Sequence, residues 1–196
     1  MPGNGVRTGI GFREIPLLPR LQKRGEMTTS DEIMKQYVAT EARVDLMRDK
    51  YALEEGYIGD DSTPWVPFAP NVFIKHLTFD VRTSSAANVL WVQEGGVLGR
   101  HRHRGPVSGY VLEGSWRYME YDWVARSGDF VRESPGRSHT LYSEGGMKTM
   151  FWLNGPLEFL DEEDRVLESV DVFWFIDHYE SHCRANGIEI NERLYL

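Results

Sequence analysis

The sequence predicts a mainly β protein, a barrel or sandwich of short strands with one helix before it and one after it. Three observations carry that expectation. Between Val72 and Leu160 the chain breaks into nine short β-rich runs, each bounded by Gly, Pro, Asn, Ser or Asp. Upstream, Thr29 and Glu32 make a capping-box pattern ahead of Ile33, Tyr37, Val38, Val44, Met47 and Tyr51 at helical spacing. Downstream, an apolar stretch from about Asp171 through Cys183 stops at Asn186-Gly187, a pair suited to ending a helix.

Taken in order, residues 1–26 carry five prolines and glycines before residue 12 and no sustained period, which predicts a loose arm, or a start assigned upstream of Met27. Residues 27–64 form a helical extension and linker, the helix running from Ser30 to about Glu55 and expected to pack on the sheet or at a subunit contact. Pro64, Pro67 and Pro70 then interrupt regular structure at the entry to the main domain, residues 65–196. The predicted strands are Val72–Val81, Asn88–Glu94, Val97–His103, Val107–Leu112, Ser115–Tyr121, Asp129–Glu133, His139–Ser143, Met147–Leu153 and Leu157–Leu160. The last helix covers one sheet face.

Composition narrows the function. With 196 residues, 41% of them hydrophobic and 12% aromatic, the chain can bury a core. Its formal net charge of −8 excludes a broad attraction to nucleic acid or an anionic membrane, despite the local cluster Arg100, Arg102 and Arg104. A small-molecule partner is expected instead. The single cysteine, Cys183, can make no internal disulfide, and no apolar run reaches the roughly 18 residues of a membrane span. No signal peptide is evident, so the expected location is cytoplasmic; the N-terminal arm offers material for a homodimer.

The chemistry concentrates between Gly95 and Ser143. His101 and His103 are two apart on a predicted strand, so their imidazoles share one sheet face. His139 follows the turn Ser134-Pro135-Gly136-Arg137-Ser138, from which a folded-back sheet can bring it to the same point. Three converging imidazoles make a metal site, and nitrogen ligands favour zinc or ferrous iron over magnesium or calcium. Three neutral ligands leave the ion's charge uncompensated, which favours an anionic substrate bound through two oxygens, such as an enolate.

Strand parity puts Trp116, Tyr118 and Glu120 on one inward face, where the aromatics either wall a substrate or simply fill the barrel. Glu113 and Glu133 flank the histidines; each is a candidate base or a solvated surface carboxylate. His178 and His182 are four apart on the last helix but lack a third ligand, and read as structural, as does His76. Cys183 has no neighbouring motif for redox or nucleophilic chemistry.

Gly95, His101-Arg102-His103 and Tyr110-Val111-Leu112-Glu113-Gly114, followed by Gly128-Asp129 and Pro135-Gly136-Arg137-Ser138-His139, resemble the two motifs of the cupin superfamily. The resemblance implies a double-stranded β-helix, a jelly-roll barrel with a metal inside. A glutamate common in the first motif is replaced here by Val107, which points to the three-histidine subgroup. Trp65-Val66-Pro67, His101 through Val107, Tyr121 through Ala125, Pro135 through Leu141 and Asn154-Gly155 are similar to the family of 2,4'-dihydroxyacetophenone and acetylacetone-cleaving dioxygenases.

That similarity implies Fe(II) as cofactor, O2 as co-substrate and cleavage of an α-hydroxyketone or β-diketone into two carboxylic or carbonyl fragments. For 2,4'-dihydroxyacetophenone the products would be 4-hydroxybenzoate and formate. Arg137 departs from the acidic residue more usual there. The alternative is a non-catalytic Zn(II)-bearing sensor of the anti-sigma type, for which the helix at Ser30–Glu55 would be the output surface. Residues 1–64 contain no His or Cys for the separate zinc domain such regulators carry.

Overall fold

A computed structural model describes residues 29–51 and 55–196; the arm expected at residues 1–26 lies outside them. The chain divides into two compact units at Glu54–Glu55. In the first, helix α1 spans Ser30–Tyr51. Its capping box is formed in both directions: the Glu32 amide donates to Thr29 Oγ1 at 3.4 Å and the Thr29 amide to Glu32 Oε2 at 2.9 Å.

The second unit is a curled antiparallel sheet of eleven strands. They are β1 (Val66–Ala69), β2 (Val72–Asp80), β3 (Ser85–Val92), β4 (Gly96–His103), β5 (Val107–Tyr118), β6 (Ala125–Arg126), β7 (Phe130–Glu133), β8 (Ser138–Ser143), β9 (Met147–Asn154), β10 (Leu157–Leu160) and β11 (Val166–Val170). The hydrogen-bonded order is β1-β2-β3-β9-β5-β8-β4-β10-β11, with β6 and β7 on β5. Strand β5 is long enough to pair with β9 along most of its length and with β8 at its end, so it belongs to both walls of the barrel. Between the walls lie Ile74, Leu90, Val111, Trp116, Leu141 and Phe151, all buried.

Helix α2 (Val172–Asn186) begins at Asp171, whose side chain accepts from the Trp174 amide at 2.8 Å, and ends at Gly187 with φ 65°. Val172, Phe175, Tyr179 and Cys183 recur at helical spacing and are all buried, so one face docks on the barrel as expected. Cys183 is a core residue. His76 is also buried there, its ring packed against Phe79, Phe175 and Tyr179. Among the described residues no helix is long and apolar enough to cross a membrane.

The strands depart from the sequence expectation in two informative places. The proline-interrupted stretch contains β1, which tolerates Pro67 because it is the outermost strand and pairs on one side only. The two runs Val107–Leu112 and Ser115–Tyr121 are one strand, β5, carrying a bulge between Val111 and Glu113. Val107, Gly109 and Val111 face the core before the bulge, and Trp116 and Tyr118 after it, so the inward parity switches from odd to even.

Gly114 completes that switch at φ 69°, where an added Cβ would also stand 2.1 Å from the Gly146 carbonyl oxygen. Gly114→Ala combines left-handed strain with a backbone clash. We expect it to destabilise the fold by about 3 kcal/mol, read as a lowered urea midpoint with an unchanged slope.

Candidate metal centre

The convergence of the three histidines follows from strand register. His101 and His103 alternate with Arg102 along β4, both imidazoles inward and buried while Arg102 turns out to pair with Glu158 at 2.7 Å. His139 on β8 is the direct cross-strand partner of His101 across the β4–β8 pairing, so its side chain leaves the sheet on the same side. The Pro135-Gly136 turn that precedes it is tied down by a hydrogen bond from the Gly136 amide to the His103 carbonyl, 2.8 Å. Ring centroids lie 4.6 Å apart for His101 and His139, 5.3 Å for His101 and His103, and 5.8 Å for His103 and His139.

One nitrogen from each ring lies within 4.8 Å of the other two. Three imidazoles bound to one ion at about 2.0–2.1 Å in a tetrahedral arrangement hold their nitrogens about 3.4 Å apart, a spacing that lies inside that limit. The His101 Nδ1 lies 2.7 Å from the Gly99 carbonyl, which fixes Nδ1 as the donor and leaves Nε2 as a free lone pair. The His139 Nε2 is buried without a hydrogen-bond partner. Burial lowers the His101 pKa to about 3, helped by repulsion from His103 and His139, and lowers that of His139 to about 4, partly offset by Glu133. These two rings are therefore neutral at physiological pH, the state a metal ligand requires. The residues fit a transition-metal ion.

Glu133 belongs to this cluster. It is the cross-strand partner of Val107 in the β5–β7 pairing, so a carboxylate arrives from the adjacent strand beside the position where Val107 has none. Its Oε2 stands 3.1 Å from His103 Nε2 and 3.5 Å from His139 Nε2 and has no aligned hydrogen-bond partner. Its Oε1 accepts from the Tyr118 hydroxyl at 2.5 Å. Burial raises the Glu133 carboxyl, but the neighbouring His103 imidazole and the Tyr118 hydroxyl outweigh it and hold it below the usual value. Burial and the Glu133 charge push the Tyr118 hydroxyl well up, so it stays a donor. Its ring stacks on His139 with centroids 3.8 Å apart and planes 13° from parallel. Trp116 packs edge-on behind Tyr118 at 5.0 Å.

Two expected positions lie elsewhere. Glu113 lies away from the histidines: the β5 bulge puts its side chain outside, where it is 65% exposed and pairs with Lys148 at 3.1 Å. Glu120 does not share the inward face of Trp116 and Tyr118, because β5 ends at Tyr118 and the chain turns. It instead accepts from the Thr140 amide at 2.8 Å and faces Arg100 at 3.6 Å, bracing the strand that carries His139. His178 holds the Pro67 carbonyl at 2.8 Å and His182 meets Asn186, which makes both structural.

Spaces open on two sides of the cluster. An internal cavity is bordered by His101, His103, Tyr118 and Glu133 on one side and by apolar residues such as Ile74, Leu98 and Phe175 on the other; the volume open to the centre of a water-sized sphere is about 40 Å³. A wider cleft of about 330 Å³ reaches His139, Glu133 and Tyr118 from outside. Its walls include Arg132, Arg137 and the stacked pair Tyr121 and Trp123, 12° from parallel. The sequence reading passed over these arginines as site residues and over the polar residue Asn88, which also borders the internal cavity.

A sequence model described as the ChrR cupin-like domain matches residues 54–158. No curated protein matches the chain. Among solved structures, an RmlC-like cupin protein from Ralstonia eutropha JMP134 is 33% identical, with a TM-score of 0.69 over 72% of this chain and 95% of that one. A second protein from the same organism, of unknown function and cupin-like fold, is 19% identical with a TM-score of 0.65 over 74% and 93%. An acetylacetone dioxygenase from Acinetobacter johnsonii is 21% identical with a TM-score of 0.60 over 66% and 93%. With its barrel, its paired histidine strands and more than half its length matched, the chain belongs to the family of ChrR cupin-like domains.

Proposed function

We propose that this protein is an Fe(II)-dependent dioxygenase that cleaves a carbon–carbon bond of an α-hydroxyketone or β-diketone, of the 2,4'-dihydroxyacetophenone or acetylacetone kind. The observation that carries the reading is a buried carboxylate, Glu133, set among three buried histidines at the edge of an apolar cavity. Similarity of fold to an acetylacetone dioxygenase supports it.

His101, His103 and His139 would hold the ion. When bound, ferrous iron supplies a Lewis acid for the two substrate oxygens and electrons for O2. Glu133 takes the proton from the carbon next to the carbonyl at Oε2, the oxygen without a hydrogen-bond partner, while Oε1 stays anchored by Tyr118. Loss of that proton makes the substrate an enolate, whose charge develops beside the three histidines in a low-dielectric interior. Tyr118 and Trp116 wall the site, and the apolar cavity excludes water from the enolate.

In protein loaded anaerobically with one Fe(II) per chain, an oxygen electrode should record uptake on addition of 2,4'-dihydroxyacetophenone or acetylacetone. One O2 should be consumed per ketone, with both oxygen atoms recovered in the fragments. No uptake with any aryl hydroxyketone or β-diketone, at stoichiometric iron, would sink the proposal. A second reading, a zinc-holding sensor, is favoured by the match to the ChrR cupin-like domain itself. Protein isolated with tightly held zinc and inert toward ketones after iron exchange would establish that reading instead.

A further inference from the structure

Asn88 is a polar residue in an otherwise apolar run of β3, Ala86-Ala87-Asn88-Val89-Leu90. It is 2% exposed, and its Nδ2 has no hydrogen-bond partner. A buried amide donor left unpaired is expensive and is retained only where something else satisfies it. Its cross-strand neighbour in β2, His76, also has both ring nitrogens unpaired, but no hydrogen bond joins it to Asn88, and its ring packs among Phe79, Phe175 and Tyr179 without bordering the internal cavity. Asn88 does border it, together with His101, His103, Tyr118 and Glu133. The remaining walls there, including Ile74, Leu90, Leu153 and Leu157, offer Asn88 no acceptor.

We infer that Asn88 is a specificity-determining residue: it donates a hydrogen bond to a third oxygen of the substrate, beyond the two that face the histidines. The inference rests on the ketone-cleaving reading and makes it sharper. A substrate with one end at the histidines sends its tail into the cavity, and a space of about 40 Å³ admits about three water-sized groups. The substrate class is therefore a small diketone or hydroxyketone whose short tail carries an ether, hydroxyl or carbonyl oxygen. An all-carbon tail of the same length fills the space but leaves the amide unpaired, and sites built to bond a polar group discriminate strongly against ligands that lack it.

The test uses two β-diketones of nine heavy atoms each, 1-methoxypentane-2,4-dione and heptane-2,4-dione, which differ by an ether oxygen in place of a methylene. Their binding to anaerobic, Fe(II)-loaded full-length protein is measured by titration calorimetry, so the readout is independent of turnover. The wild-type protein should prefer the ether by about tenfold. Asn88→Leu should abolish that preference, keep one iron per chain, and melt at the same or a higher temperature without ligand, because it removes an unpaired buried donor. Equal affinity of the wild-type protein for the two diketones would overturn the inference while leaving the ketone reading intact; a water satisfying Asn88 would give that result. Failure of both to bind would overturn the inference; the ketone reading would fall with it only if iron-loaded protein also took up no O2 with any aryl hydroxyketone or β-diketone. The wild-type comparison decides the matter even if Asn88→Leu does not fold.

Discussion

His139→Ala is expected to abolish metal retention and, with it, oxygen uptake. His101 and His103 lie on one strand, so without His139 the site keeps only two nitrogen donors from a single wall of the barrel. Structural sites of four ligands bind zinc with about 10–16 kcal/mol, so one ligand's share corresponds to a loss of about 100- to 1000-fold in affinity. Iron content after dialysis should fall from about one per chain to below about a tenth. Alanine also empties the space beneath Tyr118, whose ring stacks on the imidazole at 3.8 Å, and the melting temperature should drop through lost packing. His139→Gln retains most of the volume and separates the two effects: metal should still be lost while the fold is largely kept. Metal retained by both variants would show that His139 is no ligand.

The part of this centre that was legible in the sequence is the part set by local spacing. His101 and His103 share a face because a strand has period two, and the Pro135-Gly136 turn returns the chain so that His139 meets His101 in register. Trp116 and Tyr118 followed from the same parity. What was not legible depends on interruptions of that period. A bulge between Val111 and Glu113 reverses which residues of β5 face inward, and no residue of that run announces it except Gly114. It is why Glu113 ends outside the wall, whereas Glu133, equivalent to it by sequence distance, reaches the histidines from β7. Pro67 predicts a break because a one-sided edge strand looks, in sequence, like a linker. Asn88 did leave a signal, a lone amide in an apolar run, but its meaning required knowing that β3 faces the same cavity as β4.

The Glu133 prediction tests whether a carboxylate buried beside the histidines is functional. Glu133→Gln keeps the shape of the side chain and can still accept the Tyr118 hydroxyl at Oε1, so the fold and the three histidines should be undisturbed. It removes the capacity to accept a proton. A positioned base contributes about 100- to 10,000-fold, and turnover should fall by that factor with iron content unchanged at about one per chain. Glu113→Gln, which breaks only the exposed pairing with Lys148, should alter turnover less than about twofold. The contrast between two carboxylates twenty residues apart isolates burial beside the histidines as the cause. If Glu133→Gln instead lost iron in proportion to activity, the carboxylate would be holding the ion, and Val107's missing ligand would have been replaced from the neighbouring strand. If it retained both iron and full turnover, the proton would have to leave by a route that bypasses the only carboxylate buried against these imidazoles among the described residues.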